Sequence, residues 1–172
     1  MSKKPLLDRV KPLPVSADEI ARLQKIEKDL KAAYAAEASR SFKEDSDALA
    51  AAGYTSTPTY TEMQREIIKT AAYRPYWGAR YKLPSPGGAI YISALGFIPY
   101  PQGWDIRYAV IRETEGRLEQ VGEIEGCIAG FRDLDEDGVP EVFTSLCDNY
   151  EGSVYRYWSL MPTVRPVVER SQ

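Results

Sequence analysis

Residues 131 to 142 read Phe-Arg-Asp-Leu-Asp-Glu-Asp-Gly-Val-Pro-Glu-Val, and the fold of this chain is organised around them. Acidic residues alternate at Asp133, Asp135 and Asp137, a glycine follows in the sixth position, and Glu141 occupies the ninth. Alternate carboxylates in a tightly curved loop can point inward together, and the glycine permits the sharp turn. Because Ca²⁺ prefers six to eight oxygen ligands, this spacing predicts a Ca²⁺-binding loop.

The later positions of the loop give further ligands and separate it from an EF-hand. Counted from Asp133, the seventh residue is Val139, whose backbone carbonyl is a predicted ligand, and Glu141 can bind directly or through water. The twelfth residue, where an EF-hand places a bidentate Glu, is Thr144. Pro140 and the β-branched and aromatic residues after it oppose an exiting helix. The sequence therefore predicts a strand after the loop.

The loop resembles those of the FG-GAP and VCBS-type repeat families, in which Asp-x-Asp-x-Asp-Gly-x-x-Asp/Glu joins two antiparallel strands. The resemblance covers residues 133 to 141 only, and it implies a Ca²⁺-bridged hairpin rather than the propeller that repeated loops build. The alternative is an acidic, solvated turn without an ion. Five carboxylates stand within these nine residues and would repel one another without a cation, which favours Ca²⁺.

The two cysteines, Cys127 and Cys147, flank the loop on either side. A hairpin closed by the loop would bring them opposite each other, where a disulfide can form, although two buried thiols are the alternative. A loop without the twelfth-position Glu should bind Ca²⁺ weakly, as extracellular modules do. We therefore expect a periplasmic or secreted protein in its mature form. The first residues contain no apolar signal segment, so a cytoplasmic protein is the alternative.

Composition excludes several classes of function. The net charge is −3, which gives no basic field for nucleic acid, and no apolar run is long enough to span a membrane. Histidine is absent, which excludes His-based catalytic triads and the usual His-containing Zn²⁺ sites.

Three regions are expected along the chain, which we predict to form one globular unit. Residues 1 to 15 contain several prolines and predict a flexible tail, residues 16 to 73 a helical region, and residues 74 to 172 an antiparallel β region. Ser16 and Glu19 form a capping box, and apolar residues at helical spacing continue the first helix to about residue 39. Residues 41 to 53 are a second helix or a continuation of the first, and a third helix is expected from residue 59.

The fold class that follows is α+β. Alternating apolar and polar residues after position 105, separated by short turns such as residues 114 to 117, predict an antiparallel meander of about five or six strands behind the helices. Between residues 73 and 104 we expect loops around one strand, at about residues 89 to 97, because proline and glycine recur there.

Aromatic residues in that segment are candidates for binding a partner. Amphipathic rings suit protein surfaces or sugar faces, although covering a thin sheet is the simpler role. The candidates are Tyr76, Trp77, Tyr81, Tyr100 and Trp104.

Catalysis is the least favoured interpretation. Glu123 and Glu125 share one face of a predicted strand, and Asp148 and Glu151 fall in a predicted turn, so either pair could serve a small carboxylate-dependent hydrolase. We instead predict a non-catalytic, Ca²⁺-stabilised protein that binds a protein partner, such as an inhibitor or immunity protein of a secreted hydrolase or toxin. The further alternative is a module that binds carbohydrate or cell wall through Tyr and Trp.

Overall fold

The computed structural model describes residues 10–53, 80–100, 103–145 and 156–167. Within these residues the chain forms one helix and eight strands. The elements are α1 (Ala17–Ala51), β1 (Arg80–Ser85), β2 (Gly88–Tyr100), β3 (Gly103–Thr114), β4 (Arg117–Glu125), β5 (Cys127–Arg132), β6 (Glu141–Ser145), β7 (Arg156–Ser159) and β8 (Arg165–Pro166).

The strands form two four-stranded antiparallel sheets, each with its strands in chain order. The first sheet runs β1-β2-β3-β4 and the second runs β5-β6-β7-β8. The predicted α+β class with antiparallel strands in meander order agrees with the structure, but the described strands number eight in two sheets rather than five or six in one. The chain leaves the first sheet after Glu125, passes through Gly126 and starts the second sheet at Cys127.

The main core lies between the two sheets. The first sheet contributes alternate residues of its strands. The rest of this core comes from the segments beside and within the acidic loop and from the end of β7, and all of these side chains are buried. These residues are Leu83, Ile90, Ile92, Ala94, Ile106, Tyr108, Val110 and Ile124 from the first sheet, and Phe131, Val139, Val142, Trp158 and Leu160 from the second part of the chain.

Helix α1 packs on the opposite face of the first sheet. Leu23 is fully buried there among Ala89, Tyr91, Ala109 and Ile111 and other residues of β2 and β3. The order of layers is therefore helix, first sheet, second sheet. Among the described residues no helix is both long and apolar enough to cross a bilayer.

The helix begins where the sequence predicts and continues further. The side chain of Ser16 accepts from the backbone N–H of Glu19 and the side chain of Glu19 accepts from the backbone N–H of Ser16, which is the predicted capping box. Residues 41 to 51 continue the same helix, so the alternative of a separate second helix is wrong. The expected third helix lies outside the described residues.

Two acidic residues on α1 pair with two basic residues on β1. Glu19 accepts from Lys82, and Glu27 accepts from Arg80 at 2.6 and 2.7 Å. Lys82 and Arg80 are two residues apart and therefore lie on the same face of their strand. These pairs fix the position of the helix along the first sheet.

Strand β1 is missing from the sequence prediction because Pro84 lies within it. Leu13 N–H donates to Lys82 O, so residues 80, 82 and 84 of this outermost strand turn their backbone groups away from β2. Proline has no N–H, and at an outward position none is needed for pairing with β2. Residues 86 and 87 then form the two-residue turn into β2.

The hairpin between β3 and β4 is the one expected. Thr114 pairs with Arg117, and both central residues, Glu115 and Gly116, have positive φ angles of 51° and 76°. This is the combination that a two-residue turn between twisted strands favours.

Candidate metal centre

The acidic loop connects β5 to β6. Arg132 pairs with Glu141 at its base, and residues 133 to 140 form the loop itself. A strand follows the loop, as the sequence predicts, and the twelfth-position residue Thr144 belongs to that strand. Thr144 is buried and its hydroxyl accepts from Trp158 Nε1 at 3.0 Å, so it serves the core of the protein.

Three carboxylates of the loop come together. One oxygen each from Asp133, Asp135 and Glu141 lies within 4.8 Å of the others. Two ligands on opposite sides of Ca²⁺ stand about 4.6 to 5.2 Å apart, because each Ca–O distance is about 2.3 to 2.6 Å. Oxygens this close together can contact one Ca²⁺ ion placed between them.

Backbone amides of the loop hold this arrangement. Gly138 N–H donates to Asp133 Oδ2 at 3.0 Å, and Leu134 N–H donates to Glu141 Oε2 at 2.7 Å. Gly138 has a φ angle of 87°, which is the conformation that its place in the loop demands and that a side chain would oppose. Each of these two carboxylates thus has one oxygen fixed by the backbone.

One oxygen of Asp133 has no hydrogen-bond partner among the described residues. This oxygen, Oδ1, is buried, whereas Oδ2 of the same carboxylate accepts from Gly138 N–H. A buried carboxylate oxygen without a hydrogen-bond donor is costly, since it has lost water and gained nothing in return. A cation at the cluster would supply the missing partner.

Glu141 is the most buried member of the cluster, with 5% of the residue exposed. Burial raises the pKa of this carboxyl group, and the negative charges of Asp135 and Asp137 raise it further, against the hydrogen bond from Leu134. Two like charges at the separation of the cluster repel by about 1 to 3 kcal/mol, depending on the effective dielectric constant. The electrostatics of the loop therefore favour a bound cation.

The structure does not bring Asp137 into the carboxylate cluster. Its Oδ1 instead accepts from the backbone N–H of Val139 at 2.8 Å, and its own N–H donates to Asp135 Oδ1 at 3.3 Å. The Val139 side chain is buried in the core between the sheets. Coordination by Asp137 and by the Val139 carbonyl stays a prediction.

No protein family, curated protein or solved structure matches this chain. The FG-GAP and VCBS-type resemblance of the loop therefore stays a prediction, and the functional argument depends on the site itself.

Only one of the two cysteines that were predicted to pair lies within the described residues. Cys127, the first residue of β5, is disulfide-bonded. Cys147 is the only other cysteine of the sequence and lies outside the described residues.

Of the candidate aromatic residues, only Tyr81 has a side chain within the described part of the chain. Tyr81 is half-buried and its ring lies 5.2 Å from that of Phe131, so it contributes to packing between the sheets. Tyr100 and Trp104 lie in β2 and β3, but their side chains are outside the described part of the chain, as are residues 76 and 77 altogether.

The carboxylate pair of the hydrolase alternative is engaged in ion pairs. Arg107 donates to Glu123 at 2.9 Å and contacts Glu125 at 3.3 Å, and Arg156 donates to Glu125 at 2.9 Å. Because Arg156 belongs to β7 and Glu125 to β4, their ion pair joins the two sheets, whereas the pairs of Arg107 lie within the first sheet. The turn residues Asp148 and Glu151 lie outside the described residues.

Proposed function

We propose that the acidic loop binds Ca²⁺ through Asp133, Asp135 and Glu141, and that the ion stabilises a non-catalytic binding protein. The observation that carries this proposal is the buried oxygen Asp133 Oδ1, which has no hydrogen-bond donor among the described residues and belongs to one of the three clustered carboxylates. Asp137 and the Val139 carbonyl are the next ligands in the sequence pattern, and they complete the coordination sphere together with water.

The ion acts on the whole fold because the loop is part of the core. Phe131 enters the loop, Val139 lies within it and Val142 leaves it, and all three are buried between the two sheets. Without a cation, repulsion within the cluster opposes the loop conformation that buries these side chains. A Ca²⁺ ion bound only by the folded chain adds to the free energy of unfolding.

A binding role, rather than a catalytic one, is supported by the state of the charged groups. Glu123 and Glu125, the carboxylates of the hydrolase alternative, are both held in ion pairs with arginines. The partner we propose is a protein, and a secreted hydrolase or toxin is the class to test first.

An extracytoplasmic location fits this proposal. Loops of this type bind Ca²⁺ in the range of about 0.1 to 1 mM, which cytoplasmic Ca²⁺ rarely reaches. The disulfide at Cys127 is also typical of an oxidising compartment.

Thermal unfolding with and without Ca²⁺ tests the ion site. With a dissociation constant of about 0.1 to 1 mM, 10 mM Ca²⁺ adds about 1.4 to 2.7 kcal/mol, which corresponds to about 3 to 11 °C in Tm for a chain of this size. Asp133→Asn should abolish the increase, since it removes the charge beside the orphaned oxygen. An equal increase with Mg²⁺, or none with Ca²⁺, would contradict the assignment.

Glu136→Gln is the matched control. Glu136 lies in the same loop with a φ angle of 60°, is exposed, and does not belong to the carboxylate cluster. Its loss removes the same charge from the loop, so a Ca²⁺ response that persists in this variant separates coordination from general electrostatic attraction. The partner proposal is tested by affinity capture from the native extract, and it fails if no protein is retained.

A further inference from the structure

A short segment before the helix lies against the outermost strands of both sheets. The N–H of Val10 donates to Phe131 O in β5 at 3.1 Å, and the N–H of Leu13 donates to Lys82 O in β1 at 2.8 Å. Leu13 and Lys82 also form an antiparallel bridge. We call residues 10 to 13 the strap. These residues belong to the predicted flexible tail, but they are fixed to both sheets.

The strap covers edges that could otherwise pair with another chain. β1 and β5 are terminal strands of their sheets, and a terminal strand presents backbone N–H and C=O groups that can template a further strand. The two edges meet where the rings of Tyr81 and Phe131 are in contact. One extended segment can therefore reach both edges at once, as the strap does.

The strap is weakly adapted to this position. Pro12 has no N–H to donate, and Pro14 follows directly after Leu13. Leu13 is 43% exposed, and Val10 is only partly buried against the core. A segment that donates at every second residue would make more hydrogen bonds on the same edges than the strap does.

We propose that the edges of β1 and β5 form a strand-addition site for an extended, proline-free peptide segment that places a branched apolar residue where Val10 lies. In the free protein the strap occupies this site and lowers its affinity for the partner. The inference rests on the proposed function, in which the partner is a protein, and it gives the chemistry of the recognised segment. Phe131 O stands two residues before Asp133, so the acidic loop holds this edge in place.

Fluorescence anisotropy with a labelled peptide tests the site. The probe is residues 8 to 15 of this chain with the changes Pro12→Thr and Pro14→Thr, which restore the missing donors. The variant Leu13→Pro removes the N–H that bonds to Lys82 O, and Val10→Asp removes the apolar contact with the core. Each should bind the probe about tenfold more tightly than the unchanged protein, because the competing strap no longer fills the site.

Leu13→Ala is the matched control variant. It trims an exposed side chain but keeps the N–H, so its affinity for the probe should equal that of the unchanged protein. Circular dichroism and Tm establish that each variant is folded, and either strap variant alone suffices for the test.

Methylation of the peptide backbone tests whether binding is by strand addition. Methylation of the valine nitrogen that stands for Val10 N should abolish binding, and so should methylation of the nitrogen that stands for Leu13 N, since these two N–H groups point in opposite directions and donate to the two edges of the site. Equal affinity of the strap variants and the unchanged protein, no binding by any folded variant, or indifference to the first methyl group would overturn the proposal. The Ca²⁺ response of Tm is measured on the same proteins without peptide, so either proposal can fail alone.

Discussion

Replacement of Glu27 by Gln measures how strongly α1 is held to the first sheet. The Glu27 side chain is 3% exposed, and it accepts two hydrogen bonds from Arg80 at 2.6 and 2.7 Å and one from Ser93 at 2.8 Å. Burial by itself would raise the pKa of Glu27, but the hydrogen bonds from Arg80 and Ser93 lower it, so the carboxylate is charged in the folded protein. Gln keeps the shape and can accept from Ser93, but it removes the charge that faces the guanidinium group.

The expected cost follows from the burial of both partners. Removing one partner of a buried ion pair costs about 3 to 5 kcal/mol, because the remaining charge stays desolvated without compensation. Arg80 is 22% exposed and recovers part of its hydration, so we expect the lower end, about 3 kcal/mol. In a chain of this length that corresponds to a fall in Tm of about 6 to 12 °C.

Urea unfolding monitored by circular dichroism gives the free energy directly, and two further variants give the comparison. Asp47→Asn changes a carboxylate to an amide on the same helix, where its pair with Lys43 is 68% and 78% exposed, so this variant should unfold at the same urea concentration as the unchanged protein. The double change Glu27→Leu with Arg80→Met should be more stable than Glu27→Gln, since it leaves no buried charge. A loss below about 1 kcal/mol for Glu27→Gln, or a double variant less stable than the single one, would refute the reasoning.

Three further outcomes are expected. Glu141→Gln removes a buried charge but keeps an acceptor for the amide of Leu134. In EDTA its Tm should therefore equal or exceed that of the unchanged protein, and its Tm should no longer rise when Ca²⁺ is added. A lower Tm in EDTA would contradict the electrostatic argument. The hydrogen bond from Lys82 is the largest cause that lowers the pKa of Glu19 from 4.5 to about 2. The stability that this pair contributes is complete above about pH 4.5 and is lost as the pH falls toward 2. Lys82→Gln should therefore lose less stability over this interval than the unchanged protein. Equal losses of stability in an acid titration would count against the pair. A Cβ at Gly96 would overlap the ring of Tyr34 on α1, so Gly96→Ala should lower the free energy of unfolding by about 1 to 3 kcal/mol, and a neutral result in urea would mean that the ring moves aside freely.

Local chemistry explains which parts of the fold could be predicted from the sequence. The capping box at Ser16, the positive-φ turn at residues 115 and 116 and the strand after Pro140 each depend on residues adjacent in sequence, and each has its expected structure. The three clustered carboxylates were predicted from their spacing within one loop, but the same spacing also predicted Asp137, which instead accepts from Val139 N–H, so spacing alone does not determine which carboxylates meet.

Features that depend on distant pairing could not be predicted in this way. β1 contains Pro84 and looks like a loop until its partner strand and its outward-facing edge are known. The ion pairs of Glu19 and Glu27 join residues more than fifty positions apart. In the sequence of α1 alone, Glu19 and Glu27 are two acidic residues on a helix, with nothing to indicate their partners. The division into two sheets at residue 126 depends on which strands pair with one another, and no local sequence pattern records it.

Glu141 illustrates how a failure of simple periodicity bears on function. Val142 faces the core, so strict alternation along β6 would place Glu141 toward solvent with Phe143, which is only half-buried. The residue is buried instead, because the loop folds over it and Leu134 N–H donates to its carboxylate. A carboxylate covered in this way beside Asp135 opposes folding unless a positive charge is close. Within the loop and strands that surround it, the described contacts of this carboxylate are a backbone amide and neighbouring acids, which is why we propose that the positive charge is a metal ion.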